Sequence, residues 1–195
     1  MAKLNNLEIT PAYCSAGNLQ AVQRAFQNQE PASVQLQQFF TENSYANLCA
    51  LLSRVRWKKK VSYDKHFYSC ANPPALLSQF LQSGAFLQFL TVCTGKRVRA
   101  IQCELQQFGH KNYTLLHDHL QAATGMIFEL ELTPTWNKNA GGFSAYLRDG
   151  QEVSRVTPTA NTLTILDAKG LLRFVKYVNH RAVGKRVVIL GRFFS

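Results

Sequence analysis

The hydrophobic period of this chain changes once, near residue 95, and that change limits the fold more than any other feature. Before it, apolar side chains recur at helical spacing; after it, they alternate with a period of two. Leu19, Val22 and Phe26 predict a helix over 17–28, which Glu30-Pro31 stops. Val34 and Leu36 alternate into Phe39-Phe40 as a short strand. Tyr45, Leu48, Leu51, Leu52 and Val55 predict a second helix over 42–56. A third, over 75–93, opens after Pro73-Pro74 and stops at Gly95. From residue 97 onward, strands are expected at 97–108, 112–118, 125–132, 142–148, 151–157, 161–167, 171–178 and 186–194. Asp149-Gly150 between two alternating runs is a hairpin signal. A helical half followed by short strands implies an α+β chain. The expected form is a β-sandwich or small barrel with helices packed along one outer face.

The length, 195 residues, suits a single domain, with helical support over about 1–95 and a β-core over about 96–195. Apolar residues make up 46% of the chain, enough to bury a core. No stretch approaches the roughly 20 continuous apolar residues of a membrane span. The opening MAKLNNLEIT lacks the apolar run of a secretory signal, so the expected location is cytoplasmic. Five cysteines, none in CxxC spacing, read as reduced thiols.

Lys and Arg total 22 against 11 acids, a net charge of +11, which fits an anionic partner. One basic cluster, Arg54-Val-Arg56-Trp57-Lys58-Lys59-Lys60, interleaves an aromatic with cations. It is a candidate nucleic-acid contact, with Trp57 stacking on a base. A second cluster runs from Arg173 to Arg192. Glu129 and Glu131 share one face of a strand whose other face holds Phe128, Leu130 and Leu132, so they are expected on a solvent face. There is no GxGxxG, P-loop or GxSxG motif.

The remaining chemistry gathers at His117-Asp118-His119, at the end of the strand-like run from Tyr113. In a strand His117 and His119 share a face, and two imidazoles on one face can chelate a metal. After this triplet come Pro134-Thr-Trp136, Gly141-Gly142, Pro158, Asn161-Thr-Leu-Thr164-Ile and a strand from Arg186 to Phe193. This order resembles the double-stranded β-helix (jelly-roll) core of the Fe(II)- and 2-oxoglutarate-dependent dioxygenases, in their prolyl-4-hydroxylase-like branch. The resemblance covers roughly residues 97–195.

The resemblance implies Fe(II) and 2-oxoglutarate as cofactors and His117 as a metal ligand. Asp118 or His119 would supply a second ligand. It places Arg186 at the arginine that holds the distal carboxylate of 2-oxoglutarate, a pairing suited to a guanidinium fork. Tyr113, Thr164 and Tyr146 are hydroxyl candidates for the cosubstrate. The chain also departs from the family pattern. The family carboxylate falls two residues after the first histidine, where His119 stands. The strand 173–178 fits the register of the family's distal histidine and puts Arg173 there. A third ligand is then either His180 or missing; His180 lies in the following turn, more than roughly 20 Å along the strand from Arg173. The resemblance therefore implies a dioxygenase that hydroxylates a protein side chain such as proline. The altered triad keeps open a catalytically silent member of the same fold, binding protein or nucleic acid.

Overall fold

The computed structural model describes residues 7–62, 66–117 and 125–194. The helices are α1 (Ala16–Gln27), α2 (Glu42–Leu52), α3 (Ala75–Leu81) and α4 (Gly84–Thr94). The first five strands are β1 (Ser33–Gln37), β2 (Lys58–Ser62), β3 (His66–Ala71), β4 (Ala100–Phe108) and β5 (Tyr113–His117). They are followed by β6 (Met126–Glu131), β7 (Ser144–Arg148), β8 (Gln151–Val156), β9 (Thr162–Asp167), β10 (Leu172–Val175) and β11 (Arg186–Phe194).

Capping explains the helix ends. Ser15, Thr41 and Ser83 each accept a hydrogen bond from the backbone N–H three residues on, at the starts of α1, α2 and α4. Ser83 also accounts for a difference from the sequence expectation. The apolar run over 75–93 is two helices, because Ser83-Gly84 ends one and caps the next. Gly95 closes α4 with φ +69°, a conformation that favours glycine.

All strand pairs are antiparallel, in the order β1-β9-β6-β11-β4-β3-β5-β10-β7-β8, with β2 added to β3. This sheet curls into two facing halves, one of β1, β9, β6, β11 and β4, the other of β5, β10, β7 and β8. Side chains from β6 and β11 reach β7 and β10 across the interior. Among the described residues, the helices pack on the outer face of the first half only. Phe26, Leu48, Phe86 and Leu90 pack with Leu105, Phe128, Leu130, Ile165 and Ile189 in one buried cluster, to which β5, β7, β8 and β10 contribute nothing. Burying each such side chain stabilises the fold by roughly 1.5–3 kcal/mol. The expected helical face is therefore present, and the Asp149-Gly150 turn joins β7 to β8 with positive φ at both residues.

Strands β2 and β3 are not visible as a period in the sequence. Lys58, Lys59 and Lys60 fall in β2, which pairs with β3 alone; lysine is a common edge-strand residue.

Candidate functional site

Among the described residues, four charged side chains lie in the interior of the barrel, all at most 1% exposed: Glu129 and Glu131 on β6, Arg173 on β10 and Arg186 on β11. Arg173 Nε donates to Glu129 Oε1 at 2.9 Å, and its Nη2 donates to Ser144 Oγ at 3.0 Å. Arg186 Nη2 donates to Glu129 Oε2 and Nε to Glu131 Oε2, both at 2.8 Å. Its Nη1 donates to the Gly142 carbonyl at 2.8 Å and to Ser144 Oγ at 3.0 Å. Tyr146 and Ser144 hydroxyls complete Glu129, and Thr133 completes Glu131. Two carboxylates and two guanidinium groups balance in charge, and each is hydrogen-bonded, which a buried ion needs.

The electrostatics follow from this arrangement. Burial alone would push Glu129 up. The two arginines, with the Tyr146 and Ser144 hydroxyls, outweigh it and hold its carboxyl down to about 2. Glu131 goes the other way: burial raises it, and Arg186 and Thr133 do not fully compensate. The Tyr146 phenol is pushed well up by burial and by Glu129.

These glutamates correct the sequence reading, which put them on a solvent face. Strand β6 lies between β9 and β11 in the middle of the sheet. One of its faces is covered by helices and the other by the opposite half of the barrel, so neither face meets water.

The other expected site residues divide sharply. His117 stands opposite Arg173 in the β5–β10 ladder, and residues so paired project to the same face. Its Nδ1 lies 2.6 Å from the Leu115 carbonyl. It lines a cavity of ≈ 210 Å³ with Lys60, Tyr68, Glu104, Gln106 and Arg192 among others. Glu104 accepts from Lys60, Tyr68 and Gln106 at 2.7–2.9 Å. Burial pushes its carboxyl up, but these donors win and lower it. Asp118 and His119 lie outside the described residues. Thr164 is buried on β9 opposite Glu129, and its hydroxyl has no hydrogen-bond partner among the described residues.

Tyr113 does not face the interior: its ring sits 6.3 Å from that of Tyr177, beside a hollow on the outside of β5 and β10. His180 is exposed in the turn after β10, away from His117. The basic run is also divided. Arg54, Arg56, Lys58 and Lys59 are exposed and Lys60 is tied to Glu104, while Trp57 packs against the helical core rather than standing out between the cations. All five cysteines are free thiols.

Among known proteins, residues 69–194 match the model of a family described as oxoglutarate and iron-dependent oxygenase degradation C-term. The chain belongs to that family. Prolyl 3-hydroxylase OGFOD1 of Xenopus laevis is 24% identical over 221 residues, covering 89% of this chain and 43% of the relative. The same-named protein of Mus musculus is 33% identical over 90 residues, covering 42% of this chain and 16% of the relative. The chain thus spans less than half the length of either. A Pseudomonas putida prolyl-4-hydroxylase has the same fold, with TM-score 0.69 and 18% identity, covering 90% of this chain and 97% of that one. So does a Trichoplax adhaerens prolyl hydroxylase in complex with a hypoxia inducible factor peptide, with TM-score 0.68 and 15% identity, covering 94% and 95%. The double-stranded β-helix and the relation to 2-oxoglutarate- and Fe(II)-dependent prolyl hydroxylases follow.

Fe(II) and 2-oxoglutarate are the cofactors of the family, and the described residues of this barrel do not fit them. Arg173, which the resemblance sets at the register of a third iron ligand, stands opposite His117 and is buried. A guanidinium offers no lone pair and repels a cation. Arg186 is wholly buried, but Nε, Nη1 and Nη2 already donate to Glu131, Gly142, Ser144 and Glu129. A cosubstrate carboxylate there would have to displace a buried glutamate. No group of three His, Cys, Asp or Glu among the described residues is placed to hold a metal. The sequence reading missed Glu129, Glu131, Ser144 and Thr133. The available signal was the pair of arginines that the resemblance sets at cosubstrate and metal positions, which need counter-charges on facing strands once buried.

Proposed function

We propose that this chain serves a 2-oxoglutarate- and Fe(II)-dependent prolyl hydroxylase as a protein-binding barrel that does not itself hold the iron. The observation that carries this reading is Arg173. At the position facing His117 it is buried and bonded to Glu129, so the interior is held together by ion pairs. A prolyl 3-hydroxylase of which this chain spans 43% has more than half its length left for an iron-holding domain. In this barrel the residues act structurally. Glu129 ties β6 to β7 and β10, and Arg186 ties β11 to β6 and to the Gly142 turn.

A second reading puts the iron on this chain, as a dioxygenase hydroxylating a prolyl side chain of a protein. It is favoured by His117, which lines the cavity and is followed in sequence by Asp118 and His119. Formation of succinate from 2-oxoglutarate separates the two. The purified chain with Fe(II) and ascorbate is expected to form none above the protein-free blank. Succinate that disappears in His117→Ala would establish the second reading instead.

A further inference from the structure

We propose that the outer face of β5 and β10 docks an acidic protein segment carrying apolar anchors. The two halves of the barrel differ in what covers them. Helices bury the outer face of the first half, whereas none of the main buried cluster comes from β5, β7, β8 or β10. On that uncovered side Leu115 and Leu116 are each 47% exposed, Tyr177 45% and Leu172 37%. Tyr113 and Phe174 lie partly buried among them. Four of the seven large apolar side chains exposed among the described residues thus fall on two paired strands or their continuation. A monomer scatters such residues singly; a contiguous patch marks an interface.

The patch has a shape and a charge. A hollow of ≈ 330 Å³ is lined by Tyr113, Leu115, Phe174, Lys176 and Tyr177 with the buried Thr114 and Val175 behind them. Beyond β10 the chain stays extended between two loops, with Lys111 N–H bonded to the Val178 carbonyl and Gly142 N–H to that of Lys176. Lys111 and Lys176 therefore flank the aromatic pair Tyr113–Tyr177. No Asp or Glu occurs in 107–117 or in 172–185. On β8 the acid Glu152 is held by Arg155. An apolar centre flanked, among the described residues, by Lys111 and Lys176 fits a segment with the reverse rim, acidic residues around leucine or phenylalanine. A nucleic-acid strand would use the cations but leave Leu115, Leu116 and Leu172 unsatisfied. Naming the surface rests on the protein-binding reading above. It fails separately, because the succinate assay does not depend on the outer face.

The test is fluorescence anisotropy of the purified chain with a labelled peptide of repeated Glu-Leu-Glu-Phe. Repeated Glu-Ser-Glu-Ser, repeated Lys-Leu-Lys-Phe and oligo(U) serve as comparisons. The Glu-Leu-Glu-Phe peptide is expected to bind most tightly. Leu115→Ser with Tyr177→Ser should weaken it about tenfold or more, and Lys176→Glu should weaken it and flatten its salt dependence. Lys59→Glu, on β2, should not. These side chains are surface-exposed, and unchanged thermal melts would show the variants folded. Absence of binding, equal binding by the double variant or tighter binding of oligo(U) would each overturn the proposal. So would a concentration-dependent dimer in sedimentation that the double variant abolishes, since a second copy would then be the occupant.

Discussion

Arg173 and Glu129 meet across the interior of the barrel, Nε to Oε1 at 2.9 Å, with both side chains 1% exposed. The pair links β10 to β6, strands on opposite halves that share no backbone hydrogen bond. Removing the charge from one partner leaves the other buried without its counter-ion. Glu129→Gln keeps the shape but turns an amide N–H₂ towards a guanidinium. It is expected to cost about 3–5 kcal/mol, read as a shift of the urea midpoint.

Acid should weaken the fold through the same residue. Glu129 is depressed from 4.5 to about 2, so its contribution is fully present above pH 4.5 and is lost as the pH falls towards 2. The loss is at most ~3 kcal/mol. Glu131, raised by burial, works in the opposite sense: its folded form takes up a proton more readily than the unfolded one, so the net slope is smaller. Urea midpoints over this range should fall for the wild type, with the fall reduced in Glu129→Gln.

Arg186→Lys tests whether the fork matters as well as the charge. Arg186 reaches Glu129, Glu131, Gly142 and Ser144 at once, from three nitrogens. One ammonium cannot span them. The variant should fold with a loss of about 2–3 kcal/mol, measured by thermal melting together with urea titration.

Gly191→Ala probes packing on the helical side of the same strand. A Cβ there would stand 2.0 Å from Phe128 Cε1 on the neighbouring strand β6, and Phe128 is fully buried against Phe86 and Phe193. Because the ring has no room to retreat, the substitution should destabilise by about 3 kcal/mol. Calorimetric unfolding of the variant checks it.

The sequence made the fold largely legible because strand and helix periods depend on local burial. The runs from Met126, Ser144, Gln151, Thr162 and Arg186 appear within a residue or two of their expected bounds. Lys58–Ser62 escaped because an edge strand rich in lysine shows no apolar alternation. The site was legible only as candidates. The sequence singles out Arg173 and Arg186, and both are buried in the barrel, yet what they bond depends on which strands face each other, and Glu-Leu-Glu on β6 reads the same beside solvent as beside two arginines. Tyr113 illustrates the same gap: its neighbours along the strand do not say which side of the sheet is the inside.

The central claim is that ion pairs occupy the place of iron and cosubstrate in this barrel. The most direct measurement is an anaerobic titration of the purified chain with Fe(II) and 2-oxoglutarate, following metal-to-cosubstrate charge-transfer absorption. The account predicts no such band, and no metal retained after desalting. A saturable band that both His117→Ala and Arg186→Ala remove would contradict it.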